Sequence, residues 1–570
     1  MNGAQILVRA LRAHGIEHIF GLPGDTGMAF YDALHDVPAI THIMTRDERS
    51  ASFMADAYAR VSRRLGVCEG PSGGGATYIV PGVAEAHGSA VPVLCLTSDT
   101  PVSQDHRGVL TELDQVGLFR PITKWSERVA TVGGVEDAVY RAVRLALSER
   151  PGAAHLSLPA DVLEGEAPAE GRRPGGVASD RTPSSRPRAD AREVERAARL
   201  IQEAERPIIV AGGGVHASGA WQELTDLAEA TGIPVATSIN GKGAIAETSP
   251  MSIGVVGGNG ARSYANAWIA GADLVIFIGT RTDSTTTSGW TLPPRSTAPR
   301  SIHIDVSSKE IGNTYPSDAF LLGDAAATLR NLLDAIGQPG RLRERNAPRL
   351  QRLQVEREAY FEQVRSQAAI ETLPMKPQRL FAVLRDVLDD DTIIVADPGT
   401  PTPYLAAQYP LARAGRWTVI PRAHGGLGYA LPAVVGAYYG AGGRRVVGIM
   451  GDGSFGMSVG EMETITRLNV PIVLIQCSNG SFGWIKELQH LYHGQRYFSV
   501  DFSTVDYAAI ARGFGFDAVD VDDPASLKRI LQEALASGRP TFVNVPTAPQ
   551  MTETPPVAAW EAAVAARAAR

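Results

Sequence analysis

Short apolar runs alternate with amphipathic, helix-length stretches along most of this chain. Ile16 to Phe20, Pro207 to Val210, Leu274 to Ile278, Thr392 to Ala396, Arg445 to Met450 and Val470 to Cys477 read as buried strands. A strand covered on both faces shows a continuous apolar run, and parallel neighbours need a crossover of helix length between them. The pattern predicts an α/β protein built from three doubly wound parallel-sheet domains, at residues 1–165, 193–337 and 377–546. Residues 166–192 are rich in Pro, Arg, Ser and Gly and read as a surface linker. Residues 338–376 read as a charged helical connector, and residues 547–570 as a tail ending in an alanine-rich helix.

Composition narrows this picture. Across 570 residues, a 44% apolar share suffices for several large cores. A formal net charge of −7 without a basic run argues against nucleic-acid binding. Cys68, Cys95 and Cys477 lie in strand-like context and read as reduced core residues. With no signal pattern and no run of membrane-spanning length, a cytoplasmic protein with no membrane partner is expected.

The chemistry concentrates between Gly451 and Gly483. Gly451-Asp452-Gly453-Ser454 follows one predicted strand, and Asn479 follows the next. A carboxylate and an amide then sit at the carboxyl ends of two parallel strands, where open α/β sheets bind ligands. Oxygen donors suit Mg²⁺, and a glycine turn before a helix N-terminus suits an anion, so the segment reads as a Mg²⁺–diphosphate site. A plain strand–helix junction also fits a Gly-Asp-Gly turn taken alone. Near the other end, Glu48 opens a predicted helix after Ile43-Met44-Thr45-Arg46-Asp47. Acids favour helix N-termini for local electrostatic reasons too.

Together these segments resemble the thiamine diphosphate-dependent enzymes of the acetolactate (acetohydroxyacid) synthase superfamily. Further matches are Ser72-Gly73-Gly74-Gly75-Ala76-Thr77, Phe119-Arg120-Pro121-Ile122-Thr123-Lys124, Gly279-Thr280-Arg281-Thr282-Asp283, His303-Ile304-Asp305 with Gly323-Asp324, and Gly425 to Pro432. The resemblance implies that the three domains bind the pyrimidine, occupy the centre and bind the diphosphate. It implies Mg²⁺ on Asp452, Asn479 and the Ser481 carbonyl, with Gly453, Ser454, Gly399 and Thr400 on the diphosphate. Leu427 would wedge between the cofactor rings and the Gly425 carbonyl would accept from the 4′-amino group. Glu48 would share a proton with the aminopyrimidine. The implied reaction is lyase and carboligase chemistry on a 2-keto acid, through decarboxylation and an enamine. Glu48 and Asp452 would come from different subunits of a homodimer or a dimer of dimers.

Departures from the pattern concern the substrate. Leu110 and Thr111 stand where many synthases carry Phe and Gln, and Trp484, Glu487 and Leu488 replace Met, Gln and Trp. A buried Glu487 would be a proton donor; a solvated helix face is the ordinary account of such a residue. Arg281 matches the arginine that engages the second keto acid's carboxylate, and a contact to FAD phosphate or solvent fits it equally. Gly212-Gly213-Gly214, Arg281, Asp305 and Asp324 fit an adenine-nucleotide site for FAD, or for ADP or CoA, or a fold left empty. Asn259-Gly260-Ala261-Arg262 replaces a typical FAD contact. Two alternatives stay open: a 2-hydroxyacyl-CoA lyase or oxalyl-CoA decarboxylase relative, and a FAD-dependent oxidase of the pyruvate oxidase type.

Overall fold

The structure, a computed structural model, describes residues 1–167, 180–296 and 299–568. Part of the expected linker, residues 168–179, lies outside the described residues, as do the last two residues of the tail. The described residues hold three six-stranded sheets, and their registered pairs run parallel. The first comprises β1 (His18–Gly21), β2 (Thr41–Met44), β3 (Gly66–Gly70), β4 (Val93–Asp99), β5 (Trp125–Arg128) and β6 (Ala153–Pro159), ordered β2-β1-β3-β4-β6-β5. The second comprises β7 (Pro207–Ala211), β8 (Val235–Thr237), β9 (Ser252–Val255), β10 (Leu274–Ile278), β11 (Arg300–Asp305) and β12 (Ala319–Leu322), ordered β12-β11-β10-β7-β8-β9. The third comprises β13 (Ile393–Ala396), β14 (Thr418–Val419), β15 (Val446–Gly451), β16 (Val473–Ser478), β17 (Asp517–Asp520) and β18 (Thr541–Pro546), ordered β14-β13-β15-β16-β18-β17. This is the α/β, three-sheet architecture that the alternation of runs predicts.

Burial explains the strand sequences. Every residue of β4, β6, β7 and β10 is buried; β7 and β10 are apolar throughout instead of alternating in and out, and β4 and β6 are largely apolar or small, with His155 and Asp99 as buried polar exceptions. The first and third sheets have the same strand order. Their chains reverse winding direction between β1 and β3 and between β13 and β15, and such switch points are where open sheets leave a crevice for ligands.

The chain divides into two compact units. One comprises residues 1–185, 421–446 and 458–470, and contains the first sheet. Its central helix, Glu48–Ser62, is capped by Asp47, whose side chain accepts the Arg49 N–H, and stops at Arg63 in the left-handed region. That helix packs closely on the Ala430–Gly440 helix: a Cβ at Gly436 would lie 1.9 Å from the Met54 carbonyl oxygen. The other unit comprises residues 186–420, 447–457 and 471–570, with the second and third sheets. Its connector is a single helix, Pro339–Ala368. All three cysteines are buried and free. No helix among the described residues is long and apolar enough to cross a membrane.

Candidate active site

The third sheet brings the sequence-marked oxygen ligands together beside its switch point. Asp452 begins the Asp452–Ser458 helix directly after β15, so the Gly-Asp-Gly segment passes straight from the last strand residue, Gly451, into the first turn of a helix. Its Oδ2 accepts the N–H groups of Asn479 (3.0 Å) and Gly480 (2.7 Å), and its Oδ1 accepts the Gly453 N–H (3.0 Å). Burial raises the Asp452 carboxyl above its ordinary range, and those three N–H groups oppose the rise. Asn479 follows β16, and its Oδ1 accepts from the backbone and hydroxyl of Ser481 at 3.2 and 3.1 Å. The loop is pinned from outside by Phe482 N–H to the Val500 carbonyl and Phe502 N–H to the Gly480 carbonyl, each 2.8 Å. Gly453 must lack a side chain, because a Cβ there would meet the Phe482 ring at 2.8 Å.

Across the switch point lies the turn after β13. Gly399 sits at φ +136°, and Thr400 precedes the Pro401–Gln408 helix. The Ser454 hydroxyl donates to buried Asp397 at 2.8 Å. Two positioning residues carry no motif. Asp397 is one. The other is Gln550, 1% exposed, whose Nε2 donates to the Thr400 hydroxyl and whose Oε1 accepts from Asn479 Nδ2 at 3.3 Å. It thereby ties the expected diphosphate turn to the expected metal loop.

Glu487 lies on the next helix, Gly483–Tyr492, and is not on a solvated face: it is 0% exposed. Neither carboxyl oxygen has a hydrogen-bond partner among the described residues, and burial lifts the carboxyl to about 7 against an opposing pull from Arg567. The tail helix, Ala558–Ala568, covers this region. Trp560 packs on Trp484 with ring centroids 4.3 Å apart, and Leu488 and Leu491 join the same apolar cluster.

Most of the residues marked for an adenine nucleotide in the second sheet make contacts within the fold. A Cβ at Gly212 would lie 2.3 Å from the Gly279 carbonyl oxygen, and one at Gly214 2.6 Å from the Gly279 Cα, so the glycines let two loops touch. Asp324 caps the Ala325–Ile336 helix and pairs with Arg186 at 2.7 Å; Asp305 accepts the Ser307 N–H. Arg281 is about one-third exposed and sits 3.7 Å from Asp283. Arg262, in the segment that replaces a FAD contact, is fully buried in a triad with Glu247 and Lys242.

In the other unit, Glu48 is 7% exposed. Burial raises its carboxyl, its own backbone N–H opposes this, and Asp47 and Glu69 add to the rise. The glycine turn after β3 wraps it: a Cβ at Gly75 would lie 3.0 Å from Glu48 Oε1. Thr111, at φ +71°, bonds the Ser72 hydroxyl at 2.7 Å beside this turn, and Leu110 is exposed. Gly425 (φ +74°) and Leu427 occupy a loop of the same unit. Gly425 has no atom within 4 Å of where a Cβ would stand.

These are the switch-point acid, amide and glycine turns of an α/β cofactor enzyme. Three family models match in order along the chain. The thiamine pyrophosphate enzyme N-terminal TPP binding domain covers residues 1–118, the central domain 194–332 and the C-terminal TPP binding domain 397–545. A probable acetolactate synthase large subunit of Methanocaldococcus jannaschii is 34% identical, the match covering 96% of this chain and 92% of that one. The acetolactate synthase large subunit of Parasynechococcus marenigrum is 33% identical over 96% and 87%. Acetolactate synthase isozyme 3 large subunit of Escherichia coli is 29% identical over 96% and 94%. The chain belongs to the thiamine diphosphate-dependent enzymes of the acetolactate synthase superfamily.

Proposed function

We propose that this protein is a Mg²⁺- and thiamine diphosphate-dependent carboligase and lyase of the acetolactate synthase type, acting on a 2-keto acid after decarboxylation. The observation that carries this reading is the buried Asp452 beside the half-buried Asn479, next to the switch point of the third sheet. Asp452 has no cationic side-chain partner among the described residues; its own contacts are backbone N–H groups, and Asn479, one of their sources, carries the amide oxygen of the same loop. A divalent cation would balance that carboxylate's charge, and carboxylate, amide and carbonyl oxygens suit Mg²⁺. Asp452, Asn479 and the Ser481 carbonyl would hold the metal, and Gly399, Thr400, Gly453 and Ser454 the diphosphate.

When bound, thiamine diphosphate supplies the carbon nucleophile and the electron sink that such decarboxylation needs. The protein's part is binding, orientation and proton handling. Glu48, poorly hydrated and with a raised carboxyl, would hold a proton at a carboxyl oxygen facing the aminopyrimidine N1′. The Gly425 carbonyl would accept from the 4′-amino group, and Leu427 would keep the two rings apart. Glu487, buried and unpartnered, would donate a proton near neutral pH. Arg281 would engage the carboxylate of the second keto acid. The contacts that bind Gly212, Gly279, Asp324 and Arg262 into the fold account for those residues without FAD. Glu48 of one subunit would meet the Asp452 site of another in a homodimer, alone or within a tetramer, working in the cytoplasm.

The reading is tested by CO₂ release from pyruvate with and without thiamine diphosphate and Mg²⁺. Release should need both, and Glu48→Gln should lower it by roughly 10²–10⁴-fold, the usual worth of a positioned proton-transfer group. Undiminished release by Glu48→Gln would sink the mechanism.

A further inference from the structure

Four consecutive backbone N–H groups, from Arg422 to Gly425, converge on one side-chain carboxylate. Glu85, on the Val80–Gly88 helix, is 1% exposed. Its Oε1 accepts from Arg422 N (3.1 Å) and Ala423 N (3.2 Å); its Oε2 accepts from Ala423 N (3.1 Å), His424 N (2.7 Å) and Gly425 N (3.3 Å). Arg60 Nη2 (2.9 Å) and the Ser89 hydroxyl (2.7 Å) also donate to Oε1. A ring of successive N–H groups is an anion-binding nest, and here the anion is built into the chain. Glu85 is held below the usual carboxylate range: burial works against ionisation, and Arg60 with these donors outweighs it.

The other end of the same loop is fixed with equal care. Tyr429 donates to Asp56 Oδ2 at 2.5 Å, and Arg60 Nε donates to that oxygen at 2.8 Å. The Tyr429 ring meets Phe53 edge-on at 5.0 Å. Between these anchors His424 and Gly425 are exposed, while Gly428 and Tyr429 are buried. The result is a short prong, rigid at both roots, with a bare glycine at its tip.

We propose that Glu85 is a positioning residue for cofactor recognition, its carboxylate organising the loop 422–428 that presents the Gly425 carbonyl and Leu427. The proposal rests on the reading of those two residues as cofactor contacts. Glu85 touches neither cofactor nor substrate; it acts through the loop. The diphosphate end of the cofactor is held by different residues, so the two ends can be tested separately.

The test is Glu85→Gln in the full-length protein, with binding measured by calorimetry for thiamine diphosphate and, separately, for Mg²⁺ with inorganic diphosphate. Gln has nearly the same shape but points an NH₂ group at N–H donors. Thiamine diphosphate should bind roughly ten- to hundredfold more weakly, the worth of a charge-assisted hydrogen bond or two. Diphosphate binding should stay within about twofold, and trypsin should cut after Arg422 faster than in the wild type. Glu85→Asp keeps the charge on a shorter arm, should fall between, and serves if the Gln variant does not fold. Equal loss of both ligands would reduce Glu85 to a general structural role and overturn the proposal. Unchanged thiamine diphosphate affinity beside normal wild-type binding would overturn it alone. A wild-type chain that does not bind thiamine diphosphate would overturn the functional reading first.

Discussion

The carboxyl of Glu487 is closed off from solvent and has no hydrogen-bond partner among the described residues, which is costly for a charge and tolerable for a neutral acid. Beside it stand Tyr404 from the Pro401–Gln408 helix and Arg567 from the tail helix; Glu561 of the tail helix also acts on Tyr404, and burial raises its carboxyl too. An unperturbed Glu titrates at 4.5, whereas Glu487 does so at about 7 in the fold. Between those values the native state keeps a proton that the unfolded chain has lost, so stability falls as pH rises through that window. Glu487→Gln, always neutral, should melt with the wild type at pH 4 and roughly 1–3 °C above it at pH 8 in cofactor-free protein. A variant that melts no higher at pH 8 would mean that the carboxyl is ordinary. If Glu487 donates a proton in turnover, the same variant loses the fall in rate that the wild type shows above about pH 7. Residues of this kind divide sharply in how readable they were. Glu48, Asp452 and Asn479 sit at strand ends with local spacing that marks them. Glu85 and Gln550 have partners 337 and 150 residues away, and nothing beside them in sequence announces it.

At the scale of elements, the strands followed from their apolar runs. Leu274 to Ile278 is β10 without adjustment, and the others shift by a few residues, because chain ends of strands are set by pairing and not by hydropathy. What periodicity could not show was the use of the turn between β9 and β10. Arg262 there reaches Glu247 at 3.4 Å and the Ala407 carbonyl at 3.1 Å, while Lys242 bonds Glu247 and the carbonyls of Ala406 and Tyr409. The triad is fully buried and grips the end of the helix that Thr400 begins. Removing one member of a buried ion cluster strands the others, at about 3–5 kcal/mol. Glu247→Ala should therefore cost about that much in denaturant titration. Glu533→Ala, which breaks the exposed Arg529–Glu533 pair, should cost under about 1 kcal/mol. Similar costs for both would show that the buried triad carries no special weight.

For the whole molecule, the repeat of one strand order in the first and third sheets was invisible in the residues themselves and plain in the topology. The two sheets offer equivalent crevices that have specialised differently: one lines its switch point with the Pro71–Gly75 turn around Glu48, the other with Asp452, Asn479 and Thr400. In the proposed chemistry neither set would suffice, since one would handle the proton and the other the charge of the diphosphate. If Glu48 and Asp452 serve one site from different subunits, two inactive variants should rescue each other. In a hybrid dimer of Glu48→Gln and Asp452→Ala, one site carries both lesions and the other carries none. Random pairing of co-expressed subunits makes half of the dimers hybrid, so activity should return to about one quarter of wild type. Purification through two different affinity tags should raise this to about one half. If both residues instead served a site from the same subunit, every site in every mixture would carry a lesion, and activity would stay at the level of the separate variants.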